Sequence, residues 1–117
     1  MQKGEIYYSR QLGHPFIFFE NINEHADQFL ACMVTHSAKF IENIKMTPKH
    51  FKVNDPKGSL YKFQYHKTHL TKRKLIKTID LGEFKKVGEL TEEGILFIEK
   101  HIGMLKEEYF KTSKDRY

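Results

Sequence analysis

His69-Leu70-Thr71-Lys72-Arg73-Lys74-Leu75-Ile76-Lys77, followed by Lys85-Lys86-Val87-Gly88-Glu89-Leu90 and then Thr91-Glu92-Glu93, is the stretch on which the reading of the fold turns. The first run is basic and strand-like, and the last three residues open the one strongly signalled helix. Thr91 suits an N-cap, Glu92 and Glu93 put negative charge in the first turn, and Leu90 is placed to staple against Ile95. Gly94 stands where a capping box would carry Glu. Ile95, Ile98, Ile102 and Leu105 then recur at spacings of three, four and three, an apolar stripe that should pack on a sheet. The helix is expected over about 91–106, with the charged tail 107–117 frayed.

Upstream of this stretch the chain reads as short strands separated by turn residues. Gly4 to Arg10 is a first strand, interrupted by Gly13, and Pro15-Phe16-Ile17-Phe18-Phe19 is apolar throughout and should be covered on both faces. Asn21 to Asp27 is a polar connection of hairpin type. Gln28 to Thr35 sets Leu30, Cys32 and Val34 on one face and Phe29, Ala31 and Met33 on the other. One of those faces can fill a barrel, and the other needs a cover, either the helix or a second subunit. Lys39 to Met46 reads as a fourth strand, and Thr47-Pro48-Lys49-His50 as a helical turn with proline at its first position. Val53 to Ser59 is a strong turn signal. Beyond it, Tyr61, Phe63 and Tyr65 alternate with polar residues as in a half-buried strand, and Leu70 to Ile79 makes another. The expected fold is a single domain over 1–117, mainly β, a small barrel closed by one C-terminal helix.

At 117 residues the chain suits one core, and 30% charged against 39% hydrophobic residues is the balance of a folded protein. The net charge is +5, and its distribution says more than its size. Lys62, Lys67, Lys72, Arg73, Lys74 and Lys77 face a single acid, Asp80, between Leu60 and Asp80, whereas Glu20 to Asp27 is acidic. A basic stretch of this kind suits a polyanion, and it also suits a solvated edge strand protected by lysines. Cys32 is the one cysteine, so no internal disulfide can form, and its apolar surroundings point to a buried, inert thiol in a reducing compartment. With no secretory signal behind Met1 and no span-length apolar segment, a cytoplasmic protein that does not engage membranes is expected.

The seven histidines do not suggest a metal site. His66 and His69 are three apart, which on a strand points them to opposite faces, and no Cys or carboxylate cluster has ligand spacing. Both are expected on the surface of a basic hairpin, and His101 on the polar side of the helix. Thr35-His36-Ser37 ends a buried strand with three proton-bearing side chains whose backbone the sheet would fix. Simple strand termination by Thr and Ser bonding to the backbone is the account that the sequence alone favours. Gly13-His14-Pro15 holds a histidine on a rigid loop, and a histidine can give or take a proton near neutral pH.

Four stretches together resemble the MazF/PemK family of toxin ribonucleases. Gly4-Glu5-Ile6-Tyr7-Tyr8 is similar to its opening Gly-Asp-Ile strand, and Gly13-His14-Pro15-Phe16-Ile17-Phe18-Phe19 to its Gly-His-Arg-Pro motif and following strand. Leu30 to Ser37 resembles its buried strand ending in a Thr-x-Ser or Thr-x-Gln turn. Leu75-Ile76-Lys77 through Lys86-Val87-Gly88-Glu89-Leu90-Thr91 resembles its Lys-x-Gly-x-Leu lead-in to a helix. The order of the four spans most of the chain.

The resemblance implies an SH3-like barrel of the MazF/PemK/CcdB type that dimerises and cuts single-stranded RNA without metal or cofactor, as part of a type II toxin–antitoxin system. It also implies a cognate antitoxin with an acidic disordered segment as a partner. The family's catalytic Thr maps onto Thr35, while its Arg has no counterpart between His14 and Pro15. Arg10 could supply that charge, with His14 and His36 as a proton-transfer pair and Ser37, Lys72, Arg73 and Lys74 along the RNA. The alternative is an inactive barrel of the same type that binds nucleic acid or protein in a regulatory or antidefence role.

Overall fold

The computed structural model describes residues 2–10, 13–21, 29–36, 43–77 and 83–109, with the backbone alone at 72–77 and 106–109. Among the described residues, seven strands and one helix follow in the order β1 (Glu5–Ser9), β2 (Pro15–Asn21), β3 (Phe29–Thr35), β4 (Ile44–Lys45), β5 (His69–Lys77), β6 (Phe84–Glu89), α1 (Glu92–Ile102) and β7 (Lys106–Tyr109). A 3-10 turn, Pro48–His50, lies between β4 and β5. The strands form one sheet in the order β4-β5-β3-β2-β1-β6, antiparallel along that path, with β7 added in parallel to β5. The fold is therefore mainly antiparallel β with one helix near its C-terminal end.

Continuous apolar runs give β2 and β3 two buried faces. Ile17, Phe19, Cys32 and Val34 join Ile6, Met46, Phe51, Phe63, Leu70, Leu90, Ile98 and Leu105 in the larger cluster. Phe16, Phe18, Phe29 and Ala31 form a second cluster with Tyr7, Met33 and Phe84 packed against it. The two faces expected of β3 are the two faces observed. Phe29 is 1% exposed and Ala31 0%, so the second face is buried within a single chain. A bare face of β3 is thus no reason to expect a second subunit.

The segment between β4 and β5 runs from one edge of the sheet to the other. Met46 N–H donates to Thr68 O at 3.1 Å beside β5, Lys52 N–H to Glu89 O at 2.9 Å, and Phe63 N–H to Val87 O at 2.8 Å beside β6. The strand expected through Tyr61, Phe63 and Tyr65 does not form. Phe63 is buried and its tyrosine neighbours half-buried, so the alternation reports one-sided burial, while the Gln64 side-chain amide donates to Val53 O and Tyr61 O. Of the fourth strand expected from Lys39, only Ile44–Lys45 pairs among the described residues. The hairpin connection expected within 21–27 is described only at Asn21, and Thr78 and Ile79, the expected end of β5, lie outside the described residues.

Thr91 caps α1 as expected, with Gly94 N–H donating to its Oγ1 at 3.2 Å, and its hydroxyl donates to Lys49 O at 2.6 Å. The helix stops at Ile102, short of the expected 106, and Leu105 is buried outside it. Lys106–Tyr109 is not frayed but pairs in parallel with Arg73–Ile76. That pairing levels Glu107 with Lys74, an acidic strand beside a basic one, which the local sequence could not announce. The rest of the tail, 110–117, lies outside the described residues. His101 also departs from expectation: it is half-buried, its ring 4.5 Å from that of Phe97.

Candidate functional site

The antiparallel registers bring the ends of β1, β2, β3 and β5 together at one end of the sheet. Tyr8 pairs with Pro15, Phe16 with Met33, Thr35 with His69, and His69 with Lys45. Two further steps along the β2–β3 register set His14 level with Thr35. Neighbouring strands lie about 4.8 Å apart, so His14, Thr35 and His69 span roughly 10 Å of backbone. Arg10 is exposed in the turn after β1, which Gly13 closes with its N–H on Ser9 O at 2.9 Å and φ of +76°. That positive φ is the reason for glycine there. Thr35 is half-buried as the last residue of β3, and His14 and His36 are exposed.

His36 is held more firmly than its exposure suggests. Its Nδ1 lies 2.9 Å from His66 O and 3.2 Å from Thr68 Oγ1, and its ring stacks on Phe63 at 5.6 Å. The ring of His66 stands edge-on to it at 6.1 Å. Thr68 is fully buried and accepts the His66 N–H at 3.1 Å. The turn between them passes through Lys67, at φ +50° the one non-glycine residue with positive φ among those described, and His69 Nδ1 donates to Lys67 O at 2.8 Å. The structure therefore gives His36 a partner in His66, whereas reading the sequence paired it with His14. Thirty positions separate His36 from His66, and no local pattern links them.

Lys72, Arg73 and Lys74 lie on a strand with β3 on one side and, on the other, β4 pairing at His69 and Leu70 and β7 pairing from Arg73 to Ile76. Val34 pairs with Leu70 but Cys32 with Lys74, so two steps along β3 take four along β5. The basic run sits at this irregularity, a device that re-aims side chains and is common beside active sites. Ser37 lies outside the described residues.

Lys52 and Lys86 are already committed. Lys86 Nζ is 2.7 Å from Glu5 and 3.6 Å from Glu89, and Lys52 Nζ is 2.9 Å from Glu89. The Glu5 hydrogen bond holds the Lys86 ammonium well above the ordinary lysine value. Burial alone would raise Glu5, but hydrogen bonds from Lys86, the Gln2 N–H and Tyr7 outweigh it and hold the carboxyl low. Burial, then the hydrogen bond to Glu5, pushes Tyr7 up to about 12. This network braces β1 against β6 and leaves anion binding to other residues.

Among the described residues no group of three or more His, Cys, Asp or Glu is arranged to hold a metal ion, and no helix is long and apolar enough to cross a membrane. No family model, curated protein or solved structure matches this chain.

Proposed function

We propose that this protein is an endoribonuclease of the MazF/PemK type, cutting single-stranded RNA without a metal, and that its sheet is a small SH3-like barrel. The observation that supports the reading is that the strand registers put the backbone positions of Arg10, His14, Thr35 and His36 at the same end of the sheet, where β5 begins. The motif order in the sequence supports the family, and the 43–68 segment, which leads from β4 at one edge of the sheet to hydrogen bonds with β6 at the other, supports the barrel.

In this reading the 2′-hydroxyl of the RNA attacks the adjacent phosphorus, Thr35 and Arg10 bind the phosphate oxygens, and histidine moves the protons. Lys72, Arg73 and Lys74 hold the backbone of the RNA. The protein acts in the cytoplasm as a two-fold homodimer, restrained by an antitoxin whose acidic disordered segment covers the basic surface.

The absence of an Arg between His14 and Pro15 favours one other reading, an inactive barrel that still binds nucleic acid or protein. Incubation of the pure protein with mixed-sequence RNA in EDTA separates the two. Products ending in 2′,3′-cyclic phosphate, lost in Thr35→Ala, are the expected result. Intact RNA that remains bound would establish the inactive module instead.

A further inference from the structure

We propose that the scissile phosphate binds between His36 and His66, with His36 as general base and His66 as general acid. This deepens the endoribonuclease reading and rests on it, and it replaces His14 with a residue the sequence left on a bland surface.

The surroundings of His36 fix its tautomer. A carbonyl oxygen can only accept, so the 2.9 Å contact with His66 O puts the proton on Nδ1. In the neutral ring the lone pair is then on Nε2, the nitrogen left to meet a substrate. The stack on Phe63 fixes the plane of the ring, and fully buried Thr68 ties Nδ1 and the His66 N–H to one hydroxyl. An exposed histidine ordinarily turns freely, whereas this one is aimed.

His66 completes the pair. Its ring stands edge-on to that of His36 with centroids 6.1 Å apart, close enough for both rings to hydrogen-bond one phosphate seated across their outer edges. The turn that sets this spacing contains Lys67 in the left-handed region, and such strain persists only where the surroundings enforce it. Lys67 on the same turn and Lys45, paired with His69 from β4, add positive charge, and the 60–77 segment itself carries no carboxylate.

The step balances. His36 Nε2 takes the 2′-hydroxyl proton as the 2′-oxygen bonds to phosphorus. The bond from phosphorus to the 5′-oxygen breaks, its electron pair stays on that oxygen, and protonated His66 delivers its proton there. The products are a 2′,3′-cyclic phosphate and a 5′-hydroxyl, and both rings return to their starting states by exchange with water.

The test has two arms. In the first, His66→Gln and His36→Gln are each compared with wild type on RNA and on an analogue with sulfur for the bridging 5′-oxygen, a leaving atom that needs no proton. Both variants should cleave RNA roughly 100- to 10,000-fold more slowly. The analogue should restore His66→Gln and not His36→Gln, and His66→Gln should lose the alkaline limb of the pH–rate profile. Wild-type rates in His66→Gln would overturn the inference and leave the endoribonuclease reading standing. In the second arm, inorganic phosphate is titrated into the protein while the imidazole nitrogens are followed by NMR. Both rings should shift together in wild type, and the His36 shift should vanish in His66→Gln. No cleavage by wild type overturns the endoribonuclease reading and the proton roles with it, and the second arm then decides the phosphate site alone: no shift at either ring removes it.

Discussion

A Cβ added at Gly94 would run into the backbone carbonyl of His50 and stand 3.0 Å from Leu90 Cβ. Glycine at this position looks like a weakness in the capping of α1, because a glutamate there would complete a capping box. Its role is instead to let the first turn of the helix lie against the 3-10 turn, where Thr91 N–H donates to His50 O at 3.0 Å. Helix propensity alone favours alanine by about 1 kcal/mol, but overlap with backbone typically costs about 1–3 kcal/mol and here cannot be relieved by a side-chain rotation. Gly94→Ala should therefore lower the urea midpoint despite adding a better helix former, and a raised midpoint would mean that the junction is looser than described. Tyr7 offers a second test at this scale. Its phenol should titrate near 12 by ultraviolet absorbance, isolated by difference from Tyr7→Phe, and Glu5→Gln should bring it down by removing the carboxylate that disfavours the phenolate.

The junction between the 3-10 turn and α1 should also respond to pH. Thr47 N–H donates to His50 Nδ1 at 3.1 Å, so that nitrogen must be unprotonated, and the ring packs at 4.4 Å on Phe97 of α1. Burial pulls the His50 value below the ordinary 6.5, with Glu93 opposing in part. The unfolded chain then binds more protons than the folded one between the lowered value and 6.5, and stability rises with pH across that window. The contribution is fully present above 6.5 and lost as pH falls through the lowered value. Denaturant melts at several pH values should show this slope, flattened in His50→Gln, and an equal slope in the variant would place its origin elsewhere. The elements were legible to different degrees for physical reasons. The start of α1 was clear because its cap, acidic first turn and apolar stripe all lie within a few residues. The two faces of β3 were clear because its alternation is unbroken. By contrast, β7 depends on lying beside β5, and its own sequence, Lys106-Glu107-Glu108-Tyr109, carries no strand signal. The His36–His66 pairing was hidden for the same reason, since only folding makes these residues neighbours.

Across the whole molecule the question is where the excess of five positive charges is free to act. Lys52 and Lys86 are tied to Glu5 and Glu89, so the β1–β6 side offers little to a polyanion. Within β5, β7 pairs with Arg73 and Lys74, so shielding an exposed edge does not account for those two residues. The proposed dimer belongs to this scale too. It no longer follows from a bare face of β3, and sedimentation at 14.0 kDa in micromolar solution would remove it, whereas twice that mass is expected. The salt dependence of RNA binding tests the charge itself. Each phosphate neutralised on a single strand contributes about 0.7 to the slope of log affinity against log salt. Lys72→Ala with Lys74→Ala should weaken binding evenly across RNA sequences and lower the slope by about 0.7 for each phosphate left without its cation. Because the β5 register shifts between Leu70 and Lys74, simple alternation does not assign the intervening side chains to faces, and Arg73→Ala must be measured separately. A drop in slope for the double variant alone would put Lys72 and Lys74 on the RNA side, and a drop for Arg73→Ala alone would put the arginine there. An unchanged slope in both would remove nucleic acid from the function of this strand. The paired histidines would then stand without a track to guide RNA to them, and the endoribonuclease reading would lose its main electrostatic support.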